Sequence, residues 1–167
     1  MRVTMVVSTR LTMIRSSEES ITASRKKSES MSAIYLHNVT VAPEDIDGQG
    51  HVNNVVYVRW IQDAGVAHSS ANGWTPSRYQ QAGIGWVARS HHIDYLKPAF
   101  EGEQIVVRTW VADFKRVSSI RRYRILRASD ETELAVAETN WAFVNLVSRA
   151  PARIPPEVRD CFEVWTE

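Results

Sequence analysis

Hydrophobic and polar residues follow two different repeats along the chain beyond residue 32. β-Branched and aromatic residues are frequent, and apolar positions partly alternate with polar ones, in five segments: residues 33–42, 86–96, 104–114, 118–128 and 133–147. This pattern is typical of β-strands, because successive side chains of a strand point to opposite faces of a sheet. The sequence therefore predicts five strands.

The segment between the first two predicted strands has a helical repeat instead. Asn53 or Asn54 can cap the start of this helix, and Asn72-Gly73 supplies its end. Val55 and neighbouring apolar residues make the first half of this helix apolar on nearly every side. This predicts a helix wrapped by other structure. Its core-forming residues recur at three- and four-residue spacing: Val56, Trp60, Ala64, Ala67 and Ala71.

The predicted elements follow the order of one strand, one long helix and four strands in a meander. A proline-rich segment, residues 151–156, then leads into a short C-terminal helix. One long helix and one largely antiparallel sheet make an α+β domain. A chain of 167 residues with 44% hydrophobic content suffices for one such domain with its own core, which we assign to residues 33–167.

Residues 1–32 differ in composition from the rest of the chain. They contain twelve Ser or Thr, six Lys or Arg and three Glu, with no Gly, Pro or aromatic residue. Their longest apolar run, Met5-Val6-Val7, is too short for the core of a signal peptide. We interpret them as a disordered tail, a transit-like segment or an over-long start, with Met31 as a plausible later start.

Overall charge and cysteine content narrow the class of protein. A formal net charge of +1 gives no field that would favour nucleic acid, and no apolar run approaches the roughly 18 residues of a membrane span. The only cysteine, Cys161, excludes an internal disulfide. We therefore expect a cytoplasmic protein, with organelle targeting by residues 1–32 left open.

The loop before the helix, "PEDIDGQGHVNN", carries the densest group of polar residues. A calcium loop that starts at Asp45 would need a glutamate at its twelfth position, which is Val56. A zinc site is equally disfavoured, because His91 and His92 are adjacent in a strand and point to opposite faces. The glycines lack the lysine of a phosphate-binding loop. We predict no metal and no cofactor.

The residues of this loop fit a carboxylate beside a helix start better than a metal or phosphate site. Gly48 and Gly50 allow a tight turn, and the first N–H groups of the following helix lack intrahelical acceptors. An anionic base or nucleophile next to free N–H donors is what acyl transfer requires.

At this point the sequence resembles a known family. The stretches "DIDGQGHVNNVVYVRW" and "IDYLKPAFEGEQIVVRT" are similar to the motifs of hotdog-fold acyl-CoA thioesterases of the 4-hydroxybenzoyl-CoA thioesterase family. The resemblance covers roughly residues 34–158. It implies the hotdog fold, in which a curved antiparallel sheet wraps one long helix, and it implies an acyl-CoA substrate. It also implies a homodimer or homotetramer with active sites at the subunit boundary.

The resemblance assigns roles to individual residues of the loop and helix. The family's catalytic carboxylate falls on Asp47, and its backbone oxyanion donor falls on Asn54. His51 and Asn53 stand where the hydroxybenzoyl-type enzymes have apolar or aromatic residues, so the resemblance does not extend to an aromatic substrate. We assign His51 to catalysis, as a hydrogen-bond partner of Asp47 or the thioester carbonyl, and Asn53 to substrate binding. Tyr57 matches the aromatic residue on the family's helix and is a further substrate contact.

Other polar residues are weaker candidates. Asp63, on the helix, is a second choice for the catalytic carboxylate, and Arg89, Arg116 and Ser118 are candidate contacts for coenzyme A. A run of arginines on the fourth strand points to both faces, and most such runs are solvated; it comprises Arg121, Arg122, Arg124 and Arg127.

The sequence thus predicts a thioester hydrolase that releases a free acid and coenzyme A. Two alternatives stay open at this stage. One is a hotdog hydratase or acyl-ACP thioesterase, and the other is an acyl-CoA-binding module without turnover, because a fold does not fix a function.

Overall fold

The computed structural model describes residues 33–166. It contains five strands and three helices. A short 3-10 turn, Pro43–Asp45, precedes the long helix. The strands and helices are β1 (Ile34–Thr40), α1 (Asn54–Ala71), α2 (Pro76–Gln81), β2 (Ile84–Tyr95), β3 (Gln104–Phe114), β4 (Ser118–Arg127), β5 (Glu133–Asn145) and α3 (Pro156–Arg159).

The five predicted strands, the long helix and the short C-terminal helix are confirmed. The six-residue α2 was not predicted, because it is too short to show a helical repeat. Its start signal is nevertheless present in the sequence: the Thr75 side chain accepts a hydrogen bond from the Arg78 N–H, and Pro76 occupies the first helical position. Residues 1–32, interpreted above as a tail, lie outside the described residues.

The sheet has the strand order β1-β3-β4-β5-β2, and every neighbouring pair is antiparallel. The predicted meander is therefore correct for β3, β4 and β5 but wrong for β2, which pairs with β5 at the sheet edge. The connection from Tyr95 to Gln104 explains the difference. It carries Ala99 into the core, where the Ala99 carbonyl accepts a hydrogen bond from the Val52 N–H, so the chain crosses β5 and β4 before it forms β3.

The main core lies between α1 and the inner face of the sheet. On α1 the buried side chains include Tyr57, Trp60, Ile61 and Ala64, and each large apolar side chain that leaves water contributes roughly 1.5–3 kcal/mol to folding. Facing them from the sheet are Ile105, Val107, Tyr123, Ile125, Leu134, Ala135 and Ala137.

The helix is not wrapped on every side, as the sequence had suggested. Val55 is 71% exposed and Val66 is 50% exposed, on a face that also carries the exposed residues Arg59, Gln62 and Asp63. The five strands cover α1 from one side, and they leave this second face open in the single chain. No helix within residues 33–166 is both long and apolar enough to cross a membrane.

The loop between β1 and α1 is anchored by one buried carboxylate. Asp45 is 2% exposed, and its side chain accepts a hydrogen bond from the Ala42 N–H at 3.2 Å. The same carboxylate pairs with the guanidinium of Arg59, one turn into α1. Its backbone carbonyl accepts a hydrogen bond from the Asn53 N–H at 2.9 Å. Asp45 therefore joins the end of β1, the loop and the start of α1.

Loss of Arg59 should destabilise the fold more than loss of the charge on Asp45. Arg59→Met should lower the free energy of unfolding by about 2–3 kcal/mol, because it leaves a buried carboxylate without its cation. Asp45→Asn should cost only about 1 kcal/mol, because the amide oxygen still accepts from Ala42 and the half-exposed Arg59 can return its charge to water. Urea denaturation of both variants measures the difference. Equal losses would show that Arg59 does not compensate the buried charge.

Candidate active site

The polar loop forms a small hairpin closed by a bridge between Ile46 and Val52. The Asp47 N–H donates to the His51 carbonyl at 2.9 Å, and the Gly50 N–H donates to the Asp47 carbonyl at 3.0 Å. Gly50 has a φ of 81°, a conformation that a residue without a side chain adopts readily. The predicted need for glycine is thus met at Gly50, whereas Gly48 has no such φ.

The carboxylate of Asp47 uses one oxygen to hold the turn, and its other oxygen accepts no hydrogen bond from residues 33–166. Its Oδ1 accepts a hydrogen bond from the Gln49 N–H at 2.8 Å. Its Oδ2 lies 3.7 Å from His51 Nδ1, which is too long for a hydrogen bond, and the side chain is 22% exposed. The turn-stabilising contact therefore leaves Oδ2 able to accept from a water molecule or to approach a carbonyl carbon.

His51 is held by the neighbouring backbone. Its Nδ1 lies 3.3 Å from the Val52 carbonyl oxygen, and because a carbonyl can only accept, this nitrogen must carry the proton of the contact. In the neutral ring the opposite nitrogen, Nε2, is then an acceptor. The side chain is half-buried beside Asp47, so the structure brings these two predicted catalytic residues together.

The start of α1 supplies an unused backbone donor. Asn53 is the cap, since its side-chain oxygen accepts from the Val55 N–H at 3.0 Å and its carbonyl accepts from the Val56 N–H at 2.9 Å. The N–H of Asn54 comes first in the helix, and it donates to no residue among 33–166. The Asn54 carbonyl accepts from the Tyr95 hydroxyl at 3.2 Å. A free N–H and the positive end of the helix dipole thus coincide at Asn54.

Of the remaining predicted substrate contacts, one is buried near the helix start and three lie away from it. Tyr57 is 2% exposed and packs edge-on against Tyr95, and burial raises the pKa of its hydroxyl. Arg89 is exposed in a bulge of the edge strand β2. Arg116 and Ser118 lie at the turn between β3 and β4, beyond Phe114.

The length of β3 separates this turn from the Asp47 loop. The loop side of the domain is at Gln104, where the Val41 N–H donates to the Glu103 carbonyl. Eleven residues of β3 span roughly 35 Å between that end and Phe114. A single chain therefore does not bring Arg116 or Ser118 to Asp47.

A cavity of about 480 Å³ opens at the far end of α1, away from the Asp47 loop. Its walls come from the second half of α1, from α2, from the start of β2 and from the adjoining parts of β3, β4 and β5. Gly65 of α1 lines it, eleven residues after Asn54, which is roughly 16 Å along the helix axis. Sequence analysis did not identify this cavity, because its walls come from segments far apart in the chain.

The arginine run of β4 divides between the two faces of the strand. Three of its members are ion-paired at or near the surface: Arg122 with Glu138, Arg124 with Glu133 and Arg127 with Glu103. Arg121 is different, because it is 7% exposed on the inner face and lines the cavity. The expectation of a solvated run is therefore wrong for Arg121. In the described part of the chain, no three His, Cys, Asp or Glu side chains group as metal ligands would.

Comparison with solved structures places the fold among thioesterases. A 1,4-dihydroxy-2-naphthoyl-CoA thioesterase from Synechocystis is 20% identical, with a TM-score of 0.72 over 77% of this chain and 94% of that protein. A DHNA-CoA thioesterase from Staphylococcus aureus is 19% identical, with a TM-score of 0.72 over 77% of this chain and 87% of its own. The predicted α+β hotdog fold is confirmed.

A further Staphylococcus aureus protein, solved in complex with CoA, is 17% identical, with a TM-score of 0.73 over 78% of this chain and 82% of its own. No curated protein sequence is significantly similar to the chain. The sequence profile of the thioesterase-like superfamily, however, matches residues 41–162, which is more than two thirds of the 167 residues and includes the polar loop, α1 and the cavity. The chain belongs to the thioesterase-like superfamily.

Proposed function

We propose that the protein hydrolyses an acyl thioester of coenzyme A, with Asp47 as the catalytic carboxylate. Two features of one segment support this most directly. Asp47 has a carboxylate oxygen that accepts no hydrogen bond from the described residues, and the Asn54 N–H donates to no residue among 33–166. Both belong to one short segment that the buried Asp45 carboxylate fixes to the start of α1. An anion and an oxyanion donor held rigidly in this way serve acyl transfer.

The reaction consumes water and breaks the carbon–sulfur bond. Asp47 Oδ2 either takes a proton from a water molecule whose oxygen attacks the thioester carbonyl, or attacks that carbon itself to form an anhydride that water then opens. In both routes the Asn54 N–H and the helix dipole stabilise the oxyanion. The thiolate leaves and takes up the proton that water supplied, so the products are a carboxylic acid and coenzyme A. We assign His51, whose Nδ1 lies 3.7 Å from Asp47 Oδ2, to the same catalytic site.

The cavity and the Asp47 loop suit a site shared by two copies of the chain. β2 is an edge strand whose first residue, Ile84, lines the cavity, while the hydroxyl of its last residue, Tyr95, touches Asn54. Antiparallel pairing of two β2 edges would bring the cavity of one copy beside the helix start of the other. Exposed apolar side chains along this side, Val87 at 50% and Leu96 at 51%, are available for such an interface.

Arg116 lies in a basic depression that suits the phosphates of coenzyme A. Lys115, Arg153 and Arg159 line the same depression, and Asp160 is the one acidic residue that the described part of the chain contributes to it. Guanidinium groups bind phosphate through charge-assisted hydrogen bonds. Because this depression lies at the cavity end of the sheet, near Phe114, an acyl group in the cavity and coenzyme A on these cations can belong to one bound substrate.

Thiol release from a panel of acyl-CoA esters tests the proposed function. Turnover that depends on Asp47 supports the thioesterase. Saturable binding without thiol release would instead indicate a binding module, and hydration of an enoyl-CoA without thiol release would indicate a hydratase.

The first variant concerns the carboxylate. Asp47→Asn retains an acceptor for the Gln49 N–H but removes the charge, so kcat should fall about a hundredfold or more. The melting temperature should change little. Asp63→Asn, on the exposed face of α1, is the matched control and should retain turnover. If Asp63→Asn is inactive and Asp47→Asn is not, the catalytic carboxylate lies on the helix.

The second pair of variants separates the backbone donor from the side chain. Asn54→Ala keeps the N–H and should retain most activity, whereas Asn54→Pro removes it and should lower kcat by roughly 10²–10³. Proline is accepted at the first position of a helix. Asn53 already has φ −61° and ψ 138°, which is the conformation that a residue before proline prefers. Circular dichroism checks the fold, and a folded Asn54→Pro enzyme with normal kcat would place the oxyanion site elsewhere.

The shared site predicts an oligomer. Light scattering should give a mass of at least twice the 19.0 kDa of one chain. An enzyme that is fully active as a monomer would contradict the pairing through β2.

A further inference from the structure

Arg121 is a buried cation that has no acidic partner among residues 33–166. Its side chain is on the inner face of β4, in the alternation that also buries Ser119, Tyr123 and Ile125. One terminal nitrogen, NH1, donates to His68 Nδ1 at 2.9 Å and to Thr109 Oγ1 at 3.3 Å. The three other N–H groups of the guanidinium donate to no residue among 33–166. Burial of such an ion is costly unless an anion compensates it.

His68 does not provide that compensation. Burial, together with the charge of Arg121, lowers the pKa of His68 to about 3, so the imidazole is neutral at physiological pH. Because arginine can only donate, His68 Nδ1 must be the acceptor and the proton must reside on Nε2. The ring is fixed in this state between Tyr35, with which it stacks, and Phe162. The site thus holds Arg121 in place and leaves its charge uncompensated.

The surroundings of Arg121 within residues 33–166 offer it no anion. Tyr123 is close to Arg121, and its hydroxyl lies near Thr139 and the Trp141 Nε1–H, although neither contact has good hydrogen-bond geometry. Trp141 lines the cavity together with Arg121, and no Asp or Glu among the described residues does so. A buried cation with unused N–H donors beside a cavity forms a site for an acceptor with negative charge.

The rest of the cavity is apolar and has the volume of a small-molecule site. About 480 Å³ falls in the range of pockets that enclose small ligands. Trp86, Phe114 and Phe162 form much of its wall, and the exposed side chains of Val66 and Leu146 lie at its mouth. A ligand that fits therefore has an apolar body and an anionic end, and the anionic end enters first.

We propose that this cavity binds the acyl group of a thioester whose far end carries a carboxylate, an ω-carboxyacyl group, with Arg121 as the residue that recognises the carboxylate. This substrate class rests on the proposed thioesterase function. The apolar chain contacts the aromatic wall, and the thioester end remains at the mouth, where the loop of a second copy would act on it. Arg121 determines specificity and takes no part in breaking the carbon–sulfur bond.

Direct binding tests this proposal without turnover. Monomethyl suberate has an ester at one end and a carboxylate at the other, whereas dimethyl suberate has the same chain without the charge. In calorimetric titration the wild-type protein should bind the monomethyl ester about tenfold more tightly or better, the scale of a charged hydrogen bond. Equal affinity for the two esters overturns the proposal, whatever any variant does.

Three variants of β4 locate the preference. Arg121→Met should abolish the difference between the two esters. Arg122→Gln changes the next residue, which is on the outer face and paired with Glu138, and it should leave the difference intact. A preference that survives in folded Arg121→Met places the carboxylate elsewhere. Arg121→Lys should restore part of the preference, because it returns the charge without the fork of donors.

Kinetics with matched substrates complete the test. Suberyl-CoA and octanoyl-CoA have acyl chains of equal length and differ in the terminal carboxylate. The ratio of their kcat/KM values should favour suberyl-CoA in the wild type and octanoyl-CoA in Arg121→Met. If neither ester is hydrolysed while the calorimetric preference persists, the thioesterase proposal fails and the carboxylate site stands. If both esters are hydrolysed at equal efficiency in the wild type, the carboxylate site fails and the thioesterase stands.

Discussion

The geometry around the start of α1 depends on the burial of one charge. Asp45 cannot leave the interior without breaking its bonds to Ala42 and Arg59 and disturbing the backbone pair with Asn53. The loop between Asp45 and Asn53 has little core of its own, and it is held from both of its ends by this residue. A short polar loop can therefore present Asp47 at a fixed position, although most of its own residues contact water.

The local elements of the fold were predictable, and the long-range pairing was not. The spacing of apolar residues that indicates a strand or a helix involves only nearby positions. The bounds of β1 to β5 and α1 could therefore be predicted from the sequence to within a few residues. The position of β2 is defined by its pairing with β5 and by a connection that carries Ala99 to Val52, all of which join residues far apart along the chain. The open face of α1 likewise depends on how far five strands reach around a helix.

The candidate site likewise has one part that could be predicted from the sequence and one part that could not. Asp47 and Asn54 are seven residues apart in one motif, so their placement beside the helix start could be predicted from the sequence; their catalytic roles remain predictions. Arg121 is two residues before Tyr123 and four before Ile125, and this alternation is a signal that it shares their buried face. The flanking arginines instead suggested a solvated strand. The environment of Arg121 comes from segments far apart in the chain, which no local pattern reveals.

The location of the cavity at the opposite end of α1 from Asp47 also bears on how such a protein can diverge. The proposed catalytic residues lie in the segment between positions 43 and 59, whereas the residues that enclose the cavity begin at Gln62 and continue to Phe162. If the cavity holds the acyl group, as proposed, substitutions in the second set would change which acid is released without displacing the carboxylate or the helix start. Evolution could then alter the substrate through gradual drift in the cavity wall while selection preserves the chemistry in a separate stretch of the gene.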